Sequence, residues 1–427
     1  MIRSMNPLFM LRRVLPAVLL LAAASASAQF CPFDAGDTVK KIVACKEGTT
    51  TAECRELASK VGCSVVRELP SINAIVIEVP AFRSETATAK LFKTQRVDLV
   101  EEDRTVNWLK QVSVPSANPV PFGWTDDVAR LIDRARGIKA PAKPVVPAAE
   151  DPEQPWGIRR VNAEAAWSRL ADEGAGAEVA VIDTGISRTH PDLQGVVLGG
   201  FNALDPKNPG NWDDDEGHGS HVAGTIAARR DGKGVVGVAP KAKLWAVKVL
   251  DADGNGGFAD VIAGIEWAAA KGIKVANMSL GADTGSEALA RAVTAAAKKG
   301  LLIVAASGNA GAQTGYPARY PEVLSVGASA KGDTLADFSN FGKVELIAPG
   351  VKVESVNMKW KEDGRLTVSL SGTSMATPHV AGLAALAVAR GAKTPAQIKA
   401  KLLGAATLLD GIKLDAQGKG MVDAGKL

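Results

Sequence analysis

From about Gln154 to the C-terminus, short and mostly apolar runs alternate with stretches of helical spacing. The runs are EVAVID (178–183), KLWAVKVL (243–250), KVANMSL (274–280), LLIVAASG (301–308) and VLSVGAS (323–329). Between them, FADVIAGIEWAAAKG (258–272) and EALARAVTAAAKKG (287–300) place apolar residues three and four apart. Strands that are apolar on both faces need cover on both sides, and strands separated by helices connect in parallel. The pattern therefore predicts an α/β unit over 154–427 with a doubly wound, mostly parallel sheet. In such sheets functional groups gather beyond the carboxyl ends of the strands.

Before Gln154 the pattern changes three times. Arg3, Arg12 and Arg13 precede an apolar run (14–24) and then Ala26-Ser27-Ala28. This is the layout of an export signal over 1–28, and the run is too short to span a bilayer. Residues 29–106 read as a small α+β unit, with AIVIEVP (74–80) as a β-branched strand and VEEDRTV (100–106) closing it. Residues 107–153 read as a linker. One amphipathic segment there carries Val128, Leu131, Ile132 and Ala135, stopped by Gly137, and the Pro/Ala-rich KAPAKPVVPAAEDP (139–152) follows.

Composition narrows the picture. Lys and Arg total 50 against 46 Asp and Glu, a net charge of +4, too balanced for a nucleic-acid partner. The four cysteines, Cys31, Cys45, Cys54 and Cys63, all fall in the unit after the signal. In an exported chain an even number reads as two disulfides, with the pairing open.

The most chemically suggestive stretch is SGTSMATPHVAG (371–382), where Ser374 falls in the first turn of an Ala/Leu-rich helix. A helix start offers unpaired N–H groups and a positive dipole end. A serine there either caps the helix or acts as a nucleophile, and the second role needs a base, an orienting acid and an oxyanion donor. The chain has only four histidines, His190, His218, His221 and His379. His379 shares the Ser374 helix and reads as packed, and His190, before Pro191-Asp192, reads as a turn residue. In DDDEGHGSHVAGT (213–225), His218 opens a helix at an exposed edge that suits a base, while His221 lies one turn inside. Metal ligation by His218, His221 and the acids from Asp213 to Glu216 is the rival, but H-G-S-H lacks the H-E-x-x-H spacing. Asp183, ending EVAVID, is either a turn former or the orienting acid. Asn309, after Gly308 in IVAASGNAG (303–311), is either a turn residue or an oxyanion donor.

Taken together, VIDTGI (181–186), GHGSHVAGT (217–225), SLG (279–281), SGNAG (307–311) and GTSMATPHVAG (372–382) resemble the subtilisin-like serine proteases, the subtilases. They occur in that family's order of Asp, His and Ser. SINAIVIEVP (71–80) and VEEDRTV resemble its inhibitory propeptide. The resemblance implies a subtilisin-like fold preceded by a ferredoxin-like propeptide domain, and serine endopeptidase activity on protein or peptide substrates through an acyl-enzyme. It implies Ser374 as nucleophile, His218 as base, Asp183 as the acid that orients it, and Asn309 as oxyanion donor. Ser279, Leu280 and Gly281 on one side, and Gly254, Asn255 and Gly256 on the other, would pair with a bound peptide. Ala306, Ser307 and Gly308 would line a roomy, apolar side-chain pocket. No cofactor is expected for catalysis, and a structural calcium ion is implied at Asp192 and Asp231, with carbonyls of Arg229, Lys233 and Val235; the charges of Arg229, Arg230 and Lys233 oppose it. The expected product is a secreted, monomeric, self-processing zymogen inhibited by its own propeptide, cut first within 107–153, with no membrane attachment. A peptide-binding relative without activity and a metal-dependent hydrolase are the alternatives.

Overall fold

The computed structural model describes residues 37–110, 153–170 and 173–427. The export signal, Cys31, the amphipathic segment at 128–135 and the Pro/Ala-rich stretch lie outside the described residues.

A four-stranded antiparallel sheet comes first, built from β1 (Thr38–Cys45), β2 (Ser64–Leu69), β3 (Ala74–Pro80) and β4 (Val97–Glu102) in the order β2-β3-β1-β4. Helices α1 (Thr51–Val61) and α2 (Ser84–Lys93) join its strands. Strand side chains alternate between faces, and both faces of this sheet are used. Val43, Ile75 and Ile77 pack with Ala58 and Leu91 of the two helices. Ile42, Ala44, Ala74 and Val76 point the other way, into the core of the following unit.

One disulfide, Cys45–Cys54, joins β1 to α1 with Cα atoms 6.3 Å apart. Of the two disulfides expected, Cys45–Cys54 is the one among the described residues; Cys63 is bonded to neither of these, and Cys31 lies outside the described residues. Cys63 directly follows Gly62, the left-handed cap of α1, and the turn aims it into the helix–sheet core.

After the short strand β5 (Thr105–Asn107) come β6 (Glu178–Asp183), β7 (Val197–Asn202), β8 (Lys243–Lys248), β9 (Asn255–Gly257), β10 (Val275–Met278), β11 (Leu302–Ala306), β12 (Leu324–Ala330), β13 (Thr334–Leu335), β14 (Leu346–Pro349), β15 (Val353–Val356), β16 (Thr367–Leu370), β17 (Ala406–Thr407) and β18 (Met421–Val422). The large sheet runs β17-β18-β14-β12-β11-β10-β6-β8-β7, with β13 alongside β12. Its pairs from β7 through β18 are parallel, and only the edge pairs β17–β18 and β12–β13 are antiparallel. This is the doubly wound arrangement expected. The layers follow from alternation within β6. Val179 and Val181 pack under α3 (His218–Ala227) and α6 (Thr373–Ala389), while Ala180 and Ile182 pack under α4 (Phe258–Ala270) and α5 (Glu287–Lys298).

The strand order turns around at β6: the chain goes outward to β7, back to β8, then crosses to β10 on the other side. A crevice opens where successive connections leave in opposite directions. Asp183 ends β6 at that point, and residues 279–281 and 307–309 follow the neighbouring strands β10 and β11.

The first sheet is seated by charge as well as by apolar contact. Glu101 accepts from Glu287 N (3.1 Å), Ala288 N (3.2 Å) and Ser286 Oγ at the start of α5, and Asp103 accepts from Ala259 N (2.8 Å) at the start of α4. Carboxylates at helix N-termini meet both unpaired N–H groups and the positive dipole end. Arg67 adds an ion pair to Asp260 at 2.7 Å.

Candidate active site

Asp183 and His218 are in contact. His218 Nδ1 is 2.8 Å from Asp183 Oδ1, and Thr184 N donates to the same oxygen at 2.8 Å. Asp183 is fully buried, and His218 is 3% exposed. The exposed edge expected for His218 is thus corrected: its ring turns inward to the carboxylate rather than outward to solvent. Burial alone disfavours imidazolium, but the charge and hydrogen bond of Asp183, with Glu216 and Asp214 behind them, push His218 above its ordinary value. Its Nε2 is buried without a partner.

The support around this pair was not legible as motif. Asp214 accepts from Thr184 Oγ1 (2.8 Å), Ser220 Oγ (2.6 Å) and the N–H groups of Glu216, Gly217 and Ser220, tying the loop to the start of α3. Lys248, opposite Asp183 in the β6–β8 register, buries its ammonium against Thr184 O (2.7 Å), Leu250 O (2.8 Å) and Asp215 (2.6 Å).

Ser374 is the second residue of α6 and fully buried. Its Oγ donates to Ser279 O at 3.0 Å, so the serine faces the Ser279–Gly281 edge rather than His218. Ser279 Oγ returns a bond to Ser374 O at 2.8 Å. That return has a local cause. Pro378, four residues on, has no N–H to give the Ser374 carbonyl, and the hydroxyl takes its place. Asn309 is oriented by Thr373, whose N and Oγ1 both donate to Asn309 Oδ1 at 2.9 Å. Asn309 Nδ2 is left buried without an acceptor. His218 Nε2 and Asn309 Nδ2 are therefore both unspent, and Ser374 lies in the first turn of α6, next to the Thr373 that orients Asn309. Such a group can deprotonate a hydroxyl and stabilise an oxyanion.

Both predicted peptide edges carry a strand. β5 pairs antiparallel with β9, Val106 opposite Gly256 and Asn107 opposite Asn255. Pairing continues past Asn107: Trp108 N donates to Gly254 O, and Gly281 N donates to Trp108 O, both at 3.0 Å. The indole of Trp108 is buried edge-on against Phe258, and its Nε1 donates to Gly256 O at 2.9 Å. Lys110 N then bonds Asn107 Oδ1 at 2.8 Å, bending the chain. The stretch 107–110, expected as the start of a linker, is thus ordered, and Trp108 is the residue whose role sequence reasoning missed; a tryptophan directly after a closing strand is the available signal. Leu280, Ala306 and Ser307 are buried, with Ser307 Oγ unpartnered, and Gly308 N donates to Thr373 Oγ1 at 3.2 Å.

The other histidines are structural. His221 Nε2 lies 3.2 Å from Val353 O and from Val368 O, and His379 Nδ1 lies 2.9 Å from Met375 O. His190 accepts from Asp192 N at 3.2 Å and meets Leu366 O at 2.9 Å.

For the implied calcium, Asp192 is 2% exposed, accepts from Val235 N at 3.0 Å, and is pushed up to about 6, chiefly by burial. Its carboxylate lies where a side chain at Gly234 would fall. Asp231 is engaged by Arg229, and Glu153 accepts from the N–H groups of Asp231 (2.7 Å) and Gly232 (3.0 Å). The oxygen donors suit a hard cation. Among the described residues, however, no group of three or more His, Cys, Asp or Glu could hold a metal ion. His218 and His221 share no ligand set, which removes the structural basis for the metal-hydrolase alternative.

A buried Asp–His pair and a serine in the first turn of a helix, on a doubly wound parallel sheet, are the parts of a serine hydrolase of the α/β class. Comparison with known proteins sharpens this. Residues 174–420 match the Subtilase family, Peptidase S8. Subtilisin BL of Lederbergia lenta is 48% identical over 273 residues, covering 63% of this chain and 97% of that protein. Subtilisin Savinase of the same organism is 47% identical over the same shares, and the thermostable alkaline protease of Halalkalibacterium halodurans is 46% identical over 275 residues, 64% of this chain and 73% of its own. The chain belongs to the Subtilase family and is a serine endopeptidase.

Burial separates the histidines by pH. Burial, then the neighbouring His218 charge, lowers His221 to about 3, and burial lowers His379 to about 4. Between pH 6.5 and those values the unfolded chain binds protons that the folded chain does not, so stability rises with pH across the window and is lost on acidification. In the full chain carrying Ser374→Ala, ring resonances of His218 should titrate above pH 6.5, while His221 and His379 stay neutral to below pH 5. Co-titration of His221 with His218 would refute this assignment.

Proposed function

We propose that the chain is an exported, self-processing zymogen in which Ser374 attacks the substrate carbonyl. His218 Nε2 takes the serine proton and returns it to the leaving amine. Asp183 keeps the proton of neutral His218 on Nδ1 and stabilises the imidazolium, without itself taking the proton. Asn309 Nδ2 and the backbone N–H of Ser374 stabilise the tetrahedral oxyanion. Turning Ser374 Oγ from Ser279 O toward His218 Nε2 completes the set. A substrate adds as a strand between Gly254–Gly256 and Ser279–Gly281, with its side chain before the cut bond against Ala306, Ser307 and Gly308.

The observation that carries this reading is the strand of the chain's own residues, Thr105–Trp108, seated on both edges. It supports residues 29–106 as a ferredoxin-like inhibitory propeptide, in keeping with their β-α-β-β-α-β element order. The tail blocks the edges that a substrate needs until a cut between Asn107 and Glu153 frees it. Export follows from the charged and apolar layout of 1–28, and among the described residues no helix is long and apolar enough to cross a membrane. We propose further that calcium, when bound, lies against Asp192 and Asp231 and offsets the burial of Asp192.

Ser374→Ala should abolish casein hydrolysis and leave the chain unprocessed; hydrolysis at the wild-type level would end the serine mechanism. Asn309→Ala should lower kcat by about 10²–10³ with little change in KM, a range taken from subtilisin itself. Calcium at a hundredfold its Kd should stabilise the native state by about 2.7 kcal/mol and raise Tm, and Asp192→Ala should erase the rise. Superimposable melting curves in calcium and in chelator would exclude the ion.

A further inference from the structure

Four charged or titratable groups act on the proposed base, a fifth, Asp215, shares their loop, and the five do not have equal freedom. Asp183 at the end of β6 bonds the ring directly. Asp214 spends its carboxylate on Thr184, Ser220 and three backbone N–H groups. Asp215 is neutralised by Lys248 at 2.6 Å. His221, one turn along α3, is held neutral by burial. Glu216 differs from all of these in that its carboxylate accepts from the backbone N–H of His218 itself, at 2.7 Å. That bond fixes its carboxylate at the start of α3, two residues before His218.

We propose that Glu216 is a positioning residue for the peptidase reaction, which holds the first turn of α3 in place and, by its charge, retains a proton on His218. The proposal rests on His218 being the base. A base is useful only when neutral, so the carboxylate shifts the onset of activity toward higher pH. It also favours the imidazolium that forms during attack, when negative charge nearby is worth most. The direction agrees with the electrostatics, since Glu216 is one of the groups that raise His218, and His218 in turn lowers Glu216 against the effect of burial.

Glu216→Gln separates the two roles, because the amide oxygen still accepts from His218 N but carries no charge. In the processed enzyme, the acid limb of kcat/KM should move to lower pH. One pH unit below the wild-type midpoint, activity relative to the plateau should be about two- to fivefold higher than in wild type. Added salt should move the wild-type limb toward that of the variant and leave the variant's limb almost still. Glu216→Ala should show the same limb together with a lower Tm. Superimposed limbs for wild type and Glu216→Gln, with both enzymes active, would overturn the proposal and leave the serine mechanism standing. If neither protein hydrolyses peptide at any pH, both readings fall.

Discussion

A carboxylate sealed inside the protein at the end of a central strand is the constraint around which the rest is arranged. Asp183 is fully buried, and an unpaired charge there would cost several kcal/mol. It is tolerated because Thr184 N and His218 both approach one of its oxygens. Each of those partners must itself be held. Thr184 is held by Asp214 and by Lys248 through its carbonyl, and His218 by the first turn of α3, which Asp214 and Glu216 stitch to the loop before it. The doubly wound sheet supplies the position, since β6 is where the strand order turns round.

The strand that precedes the linker is held by the same kind of pairing that builds the sheets. An unpaired strand edge recruits another strand, a liability elsewhere in proteins and, in the function proposed above, a means of recognition. The chain's own Thr105–Trp108 satisfies both edges, and Glu101 and Asp103 hold that tail by capping α5 and α4. The apolar face of the small sheet, Ile42, Ala44, Ala74 and Val76, has its core in the second unit rather than its own. That shared core makes 38–427 one compact body despite the change in pattern near Gln154.

Period and punctuation carried the large sheet, because continuous apolar strands and 3.6-residue repeats leave few alternatives. That Asp183 closes a strand and that His218 and Ser374 fall at helix starts was legible from the glycines near them. What escaped was set by contacts distant in sequence. His218 looked exposed because a glycine-flanked helix start says nothing of which way its ring turns; Asp183 decides that from 35 residues away. The bond from Ser279 Oγ to Ser374 O depends on Pro378 lacking an N–H, which is visible locally, and on a partner 95 residues off, which is not. Trp108 escaped for the same reason, since its partners lie at Gly254–Gly256 and Gly281.

The central claim is that Ser374 is made nucleophilic by His218. Its most direct test is modification of the processed enzyme by a fluorophosphonate across a range of pH, with the labelled residue located by peptide mapping. The account predicts a single adduct on Ser374, formed at a rate that falls as His218 takes up its proton and that collapses in His218→Ala. A label on another residue, or on Ser374 at a rate indifferent to pH and to His218→Ala, would contradict it.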